Sequence, residues 1–256
     1  MGSARPVRYQ LTEGTAWLLI NRPEARNAID RAVSAGLWEG FRRFEADPEA
    51  KVLVLTGAGD AAFCAGADLK EMAALGITVP PRDMAPHVGV NIAISKPVIA
   101  AVNGAAYGGG FLLAQMCDLC VAAEHATFAI AEARWGRGAP WAASLPWLIP
   151  PRVALELLLT AQPLNARRAL EVGLVNAVVP AAALREEAAK LAATIAANAP
   201  LSLRAARAMV YGSAGRALRD ALDEGWRLFE PVYLSEDAQE GPRAFLEKRR
   251  PRWKGR

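Results

Sequence analysis

The sequence is poor in the residues that most metal sites and catalytic triads require. Its 256 residues include two histidines, His87 and His125, and three cysteines, Cys64, Cys117 and Cys120. A zinc site or a Ser–His–Asp triad therefore has little material. An odd number of cysteines over a long chain argues against a disulfide framework, so we expect a reducing, cytoplasmic location. The Cys-x-x-Cys pair lies in an apolar run without a second pair, and we interpret it as core.

Signatures of nucleotide binding and of membrane insertion are also missing. No Gly-x-Gly-x-x-Gly follows the first predicted strand and no Gly-Lys-Ser/Thr occurs, so neither a Rossmann site nor a P-loop is expected. The first nine residues have no apolar segment, which argues against a secretory signal. Residues 97–117 are uncharged and long enough to span a membrane, but Asn103, Gln115 and several glycines interrupt them. We therefore expect a buried strand, a glycine turn and a helix there, with no membrane partner.

The net charge of +4 has a local origin. Residues 248–256 carry six basic and no acidic side chains, which leaves 24 basic against 26 acidic side chains elsewhere. One basic cluster whose only aromatic residue is Trp253 is weak evidence for nucleic-acid binding. We therefore do not expect a nucleic-acid partner, and an RNA-binding tail stays as an alternative.

The order of predicted elements indicates an α/β core followed by helices. A hairpin around Glu13-Gly14, a helix over 31–46 capped by Asp30, and alternating strands and helices fill the first 180 residues. Helices alone follow. We therefore predict a core over residues 1–195 and a helical region over 196–256, a common place for oligomerisation.

Two segments of small residues are the strongest candidates for chemistry. Residues 61–68 (AAFCAGAD) precede a predicted helix that Asp68 can cap, and residues 103–110 (NGAAYGGG) connect a buried strand to a helix. Small residues let a ligand approach the main chain, and helix N-termini leave N–H groups unpaired. Two N–H groups aimed at one oxygen form an oxyanion hole, in which each donor contributes about 3–4 kcal/mol. A tight strand-to-helix turn also explains either segment.

Several modest motifs follow one another along nearly the whole chain. They are residues 19–28 (LINRPEARNA), 63–69 (FCAGADL), 96–104 (KPVIAAVNG), 108–110 (GGG), 116–118 (MCD), 169–175 (ALEVGLV) and 245–249 (FLEKR). In this order and spacing the chain resembles the crotonase superfamily, the enoyl-CoA hydratase/isomerase family. The resemblance implies a crotonase-like α/β spiral of ββα units with a helical C-terminal trimerisation region, and hence a homotrimer or a dimer of trimers.

The resemblance also implies a substrate and a site. The substrate is an acyl-CoA thioester, and coenzyme A enters as part of it, without a separate cofactor or metal. Two backbone N–H groups stabilise the enolate oxygen, and by motif position they belong to Ala67 and Gly109. The implied CoA-binding residues are Arg26, Ala28, Ala65, Asp68 and Leu69, together with Phe245 and Lys248 from a neighbouring subunit. A solvated helix end is the alternative for Lys248.

The catalytic carboxylates depart from the family pattern. Family hydratases usually have one glutamate two residues after the triple glycine, where this chain has Leu112, and another in a Phe-x-x-x-Glu loop, here Glu132. One carboxylate organises hydration poorly, whereas an isomerase needs a single base that takes a proton at C2 and returns it at C4. An apolar loop around Glu132 predicts a raised pKa, which suits a proton shuttle.

We therefore predict an enoyl-CoA hydratase/isomerase with one catalytic glutamate, acting through a thioester enolate. A hydrolase, decarboxylase or C–C lyase of the same fold, or a non-catalytic acyl-CoA-binding protein, stays open. Trp141 precedes Ala142-Ala143 where the family usually has adjacent glycines. Trp141 either packs in the core or narrows the acyl pocket, and Tyr107 either lines the pocket or packs.

Overall fold

The computed structural model describes residues 5–256, so the expectation about a secretory signal rests partly on residues outside the described chain. The strands are β1 (Val7–Thr12), β2 (Thr15–Ile20), β3 (Val52–Gly57), β4 (Ala62–Cys64), β5 (Val98–Val102), β6 (Ala105–Tyr107), β7 (Leu119–Ala123), β8 (Thr127–Ala129), β9 (Leu164–Asn165) and β10 (Ala177–Val179). The α-helices are α1 (Arg31–Ala46), α2 (Leu69–Ala74), α3 (Gly109–Gln115), α4 (Pro151–Thr160), α5 (Ala166–Glu171), α6 (Leu184–Ala196), α7 (Pro200–Ser213), α8 (Leu218–Tyr233) and α9 (Glu236–Leu246).

The strands form two sheets. The first has the order β1-β2-β3-β5-β7-β10 and is parallel except for the predicted β1–β2 hairpin. The second has the order β4-β6-β8-β9 and is parallel except for β8–β9. The apolar runs of β3 and β5 suit the first sheet because its central strands are buried on both faces.

Helices cover both faces of the first sheet. On one face α1 buries Leu37, Phe41 and Phe44 in the main core, and its N-terminus is capped by Asp30, which accepts a hydrogen bond from the N–H of Val33. This agrees with the predicted helix and cap. On the other face α6 packs Leu184, Ala188 and Ala192 against β3 and β5. Burial of apolar surface in these two layers favours folding.

The first of the C-terminal helices, α7, is joined to the core by an ion pair. The predicted boundary, between residues 195 and 196, falls within α6, just before its last residue, Ala196. The Arg207 guanidinium on α7 donates to both carboxylate oxygens of Asp118, at 2.7 and 2.9 Å, and to the carbonyl oxygen of Ile94. Asp118 also accepts a hydrogen bond from the N–H of Val98, at the start of β5. Asp118 therefore has a structural role, because it links α7 to the start of β5.

The basic tail packs back onto α9. Arg249 donates to both oxygens of Glu240, at 2.6 and 3.0 Å, and Lys254 pairs with Glu236 at 2.7 Å. The carboxylate of Asp237 accepts hydrogen bonds from the N–H groups of Lys254 and Gly255. Much of the positive charge that the sequence concentrates here is therefore neutralised within the chain.

The Cys-x-x-Cys pair and the uncharged run 97–117 both lie within the fold as the sequence predicts. Both cysteines of the Cys-x-x-Cys pair are buried in the main core, and burial raises the pKa of the Cys120 thiol to about 12. The uncharged run contains β5, then a glycine turn that includes β6, and then α3. This order agrees with the expected strand, turn and helix. No helix of residues 5–256 is long and apolar enough to cross a membrane.

Candidate active site

The second sheet brings the candidate site together. Its strands β4, β6 and β8 are parallel neighbours, and they lead directly into the segments that carry Ala67, Gly109 and Glu132. The carboxyl ends of adjacent parallel strands meet at one edge of a sheet, where ligands commonly bind in α/β folds. The sequence pattern does not reveal these strands, because three residues are too few to show an alternating pattern.

Two backbone N–H groups lie side by side at this edge. A Cβ atom added to Gly66 would lie 3.2 Å from the nitrogen of Gly109, and one added to Gly109 would lie 3.8 Å from the nitrogen of Ala67. Gly66 has a φ of +92°, a conformation that favours glycine. The hydrogen bonds within residues 5–256 include none that the N–H of Ala67 or Gly109 donates. Both groups are therefore available to one acceptor oxygen.

Close packing holds α3 against the end of β4. A Cβ atom at Gly110 would lie 1.9 Å from the carbonyl oxygen of Cys64, a distance that no side chain can occupy. The first turn of α3 therefore touches the backbone just before Ala67. This contact keeps the two N–H groups close together.

The Glu132 carboxylate lies beside the glycine turn. Its Oε1 atom would be 3.1 Å from a Cβ atom added to Gly108, which directly precedes the Gly109 N–H. Its Oε2 atom is buried and has no hydrogen-bond partner among the described residues. Burial raises the pKa of Glu132 above its ordinary value, as the sequence predicts. Leu112, one helical turn after Gly108, is half-buried and supplies no second carboxylate.

Most of the predicted CoA-binding residues lie on two neighbouring segments, 26–29 and 65–68. The N–H of Ala65 donates to the carbonyl of Arg26, and the Asp68 N–H donates to the carbonyl of Ile29. Ala28 is buried between these contacts, whereas the Leu69 side chain is exposed. Their closeness to the N–H pair is observed, and their role in binding CoA stays a prediction.

The Asp68 side chain is already occupied within the chain. It caps α2 by accepting hydrogen bonds from the N–H groups of Lys70 and Glu71, as expected. Its Oδ2 atom lies 2.6 Å from Nη1 of Arg22. The Arg22 guanidinium holds the pKa of the Asp68 carboxyl below its usual range.

Two other predicted residues pack within the fold. Trp141 is half-buried with its ring centroid 6.0 Å from that of Phe111, and its carbonyl accepts a hydrogen bond from Gln115. These contacts favour core packing for Trp141. The Tyr107 hydroxyl lies 3.1 Å from that of Thr127, across neighbouring strands. A contact of either ring with the acyl group stays a prediction.

Phe245 and Lys248 are not brought to this site within one chain. Phe245 is 81% exposed near the end of α9, and Lys248 follows in an exposed turn. Their assignment to the site of a neighbouring subunit stays a prediction.

Two polar residues of the first motif, Asn27 and Arg22, support the site although the sequence pattern did not predict a role for them. Asn27 is fully buried, accepts a hydrogen bond from the N–H of Arg22, and donates to the carbonyls of Ala58 and Ala62. Arg22 forms ion pairs with the two capping carboxylates near the site, Asp30 of α1 and Asp68 of α2. The available signal was a polar cluster between a buried strand and a helix, where buried polar groups need partners.

Two N–H groups without an acceptor among the described residues lie beside a buried carboxylate, which is the arrangement that acid–base enzymes use to stabilise an oxyanion next to a transferred proton. Residues 10–256 match the family model described as enoyl-CoA hydratase/isomerase. The chain belongs to the enoyl-CoA hydratase/isomerase family, and it is an enzyme of this family. The predicted family, the α/β fold with a C-terminal helical region and the enzyme class are therefore confirmed, whereas trimerisation stays a prediction.

Named relatives and solved structures agree with this assignment. The carnitinyl-CoA dehydratases of Proteus mirabilis and Salmonella typhi are each 40% identical over 253 residues, covering 93% of this chain and 94% of the relative. The crystal structure of enoyl-CoA hydratase EchA1 from Mycobacterium marinum matches with a TM-score of 0.92 and 38% identity over 99% of this chain and 100% of that one. An enoyl-CoA hydratase from Mycobacterium tuberculosis H37Rv matches with a TM-score of 0.91 and 37% identity, at the same coverage of both chains.

Proposed function

We propose that this enzyme forms the enolate of an acyl-CoA thioester and that Glu132 is its single acid–base group. The observation that carries the proposal is the buried carboxylate oxygen of Glu132, unpaired among the described residues and next to the Gly108-Gly109 turn. The thioester carbonyl accepts hydrogen bonds from Ala67 and Gly109. These donors stabilise the charge that develops on the oxygen, by about 3–4 kcal/mol each.

The reaction that needs only these groups is double-bond isomerisation. Glu132 removes a proton from C2 of a 3-enoyl thioester, and the electron pair of that C–H bond moves into the enolate. The carboxylic acid then returns the proton to C4, which leaves the 2-enoyl thioester and regenerates the carboxylate. The raised pKa supports this role because proton transfer in both directions is easiest when the pKa lies near the working pH.

Reversible dehydration of a 3-hydroxyacyl thioester is the second candidate. It is supported by relatives named carnitinyl-CoA dehydratase and by solved structures titled enoyl-CoA hydratase. In this reaction Glu132 removes the C2 proton and returns it to the departing hydroxyl group, so that water and a 2-enoyl thioester form. Leu112 favours isomerisation because no second carboxylate is present there to orient the water.

The proposed assembly is a homotrimer or a dimer of trimers in the cytoplasm, with CoA bound only as part of the substrate. An apolar stripe on α8 supports an assembly, because its side chains are exposed in the single chain. The stripe consists of Leu218, Leu222, Trp226 and Tyr233. Phe245 and Lys248 are exposed nearby in sequence on α9 and the turn after it, where they can reach a neighbour's CoA.

The test compares two thioesters and two glutamate variants. We expect the wild type to convert 3-hexenoyl-CoA faster than it hydrates crotonyl-CoA. Glu132→Gln should lower turnover of both substrates by about 10²–10⁴ because it removes the only base. Glu124→Gln changes an exposed carboxylate eight positions earlier and should leave both rates unchanged. Full activity of Glu132→Gln would contradict the proposal.

The pH dependence provides a second readout in the same assay. The ionised carboxylate is the active base, so activity should rise with pH, and its midpoint should lie above the ordinary glutamate value of 4.5. The Glu132→Gln variant should lose this acidic limb. Binding of acyl-CoA without turnover of either substrate would instead indicate the non-catalytic alternative.

A further inference from the structure

The peptide that carries the Ala67 N–H is held through its own carbonyl. The carbonyl oxygen of Gly66 accepts a hydrogen bond of 2.7 Å from the N–H of Ile29. In a trans peptide the N–H points opposite to the C=O, so this bond turns the Ala67 N–H away from segment 26–29. The flexible glycine on one side of this peptide cannot hold that orientation by itself.

Arg22 secures the other side of the peptide. Its Nη1 atom lies 2.6 Å from Oδ2 of Asp68 and 3.4 Å from the carbonyl oxygen of Ala28, and its Nε atom lies 3.4 Å from Oδ2 of Asp30. One guanidinium therefore joins segment 26–30 to the residue that directly follows Ala67. The Asp68 N–H completes the clamp by donating to the carbonyl of Ile29 at 2.9 Å.

The ion pair is sheltered and well placed for this task. The side chains of Arg22 and Asp68 are only 26% and 12% exposed, so solvent screens their attraction less than at an open surface. Asp68 needs its other oxygen for the α2 cap, which fixes the carboxylate relative to the helix. A planar guanidinium suits such a junction because it presents several donors in fixed directions.

We propose that Arg22 is a positioning residue for the oxyanion hole, which it serves by holding the Ala67 N–H in its working direction through Asp68. The inference rests on the proposed function and deepens it, because it assigns a role to a side chain outside the acid–base site. Arg22 acts through the backbone and does not contact the reacting atoms. Its loss should weaken polarisation of the thioester while Glu132 stays in place.

The variants separate the ion pair from the helix caps. Asp68→Asn keeps an oxygen for the α2 cap but removes the charge that pairs with Arg22. Asp30→Asn likewise keeps an oxygen for the α1 cap and removes the charge that faces Arg22. It therefore serves as the matched control. Arg22→Gln removes the guanidinium, and Arg22→Lys restores one positive charge. If Arg22→Gln does not fold, Asp68→Asn carries the test.

The first measurement is the carbonyl stretching frequency of bound butyryl-CoA, labelled with ¹³C at C1, by infrared difference spectroscopy. Hydrogen bonds from an oxyanion hole weaken the C=O bond and lower this frequency, and butyryl-CoA has no double bond or hydroxyl group to react. We expect the wild type and Asp30→Asn to show the full downward shift. Asp68→Asn and Arg22→Gln should lose most of it, and Arg22→Lys should recover part.

The second measurement is the kinetics of the preferred enoyl thioester. We expect Asp68→Asn and Arg22→Gln to lower kcat at least about tenfold with little change in KM, against about 10²–10³ for loss of a whole donor. The double variant should be no worse than either single one, because both remove the same contact. Asp30→Asn should stay within about twofold of wild type.

The outcomes separate this inference from the proposed function. A full carbonyl shift and an unchanged kcat in both Asp68→Asn and Arg22→Gln would overturn the positioning role while the oxyanion hole stands. A wild-type enzyme that binds butyryl-CoA without any shift would overturn the oxyanion hole itself, and the positioning role with it.

Discussion

At the scale of single residues, Glu132 shows a conflict between stability and chemistry. A buried carboxylate oxygen without a partner among the described residues loses hydration that none of these residues replaces. Because the folded-state pKa is raised, the carboxyl favours the folded state only when protonated, and this contribution is lost as pH rises through the folded pKa. Near neutral pH the group therefore costs stability, which is typical of a residue retained for activity.

Leu112 offers a test of the one-carboxylate proposal. Leu112→Glu places a second carboxylate one turn after Gly108, where it can orient a water molecule. We expect the rate of crotonyl-CoA hydration to rise at least about tenfold relative to 3-hexenoyl-CoA isomerisation, the scale that general acid–base catalysis allows. Leu112→Gln, with a similar shape and no charge, should not change this ratio. An unchanged ratio in Leu112→Glu would show that the leucine does not decide between the reactions.

At the scale of elements, the site depends on the contact between β4 and α3. Gly110→Ala places a methyl group against the carbonyl of Cys64, so the helix must move or the backbone must distort. Overpacking of this kind costs about 1–3 kcal/mol, and the movement also displaces the neighbouring Gly109 donor. We expect thermal unfolding to show a Tm several degrees lower and the isomerase assay to show a large loss of kcat.

Gly212→Ala on α7 is the matched control for this prediction. A Cβ atom there meets nothing within 4 Å, and alanine favours a helix over glycine by up to about 1 kcal/mol. Its Tm should be equal to or higher than that of the wild type, with unchanged activity. Similar effects of both variants would mean that the β4–α3 contact has no special importance.

The elements also show where sequence patterns succeed. The Asp30 and Asp68 caps, the β1–β2 hairpin and α1 depend on neighbours within a few residues, so local patterns predicted them. Strands β4, β6 and β8 have three residues each and depend on one another for pairing. No local pattern reveals such a sheet, and the sequence therefore showed its strands as loops.

At the scale of the whole molecule, the exposed apolar stripe on α8 predicts an assembly. Wild-type protein should have a mass of about three times 27.3 kDa, or twice that for a dimer of trimers, by light scattering. Trp226 is 69% exposed within the stripe, and we expect an assembly to bury it. Trp226→Glu should therefore lower the mass, because a buried unpaired charge is costly. Gln162→Glu, an exposed change distant in sequence, should not.

A monomeric wild type at micromolar concentration would contradict the trimer. It would also leave Phe245 and Lys248 without a neighbouring site to complete.

The charge of the basic tail also depends on the whole fold. Its charge appeared in the sequence as a free patch, but α9 supplies acidic partners for Arg249 and Lys254 across a turn of the chain.

The sequence by itself determined the order of the main elements, the small residues of the two site segments and the single carboxylate at Glu132. These features follow from residue type and short spacing. Only the tertiary structure brought Ala67, Gly109 and Glu132 to one sheet edge and placed Arg22 against Asp68, 46 residues away. The reason is physical: strand pairing and sheltered ion pairs between distant residues form only when the whole core is assembled, and no local pattern encodes them.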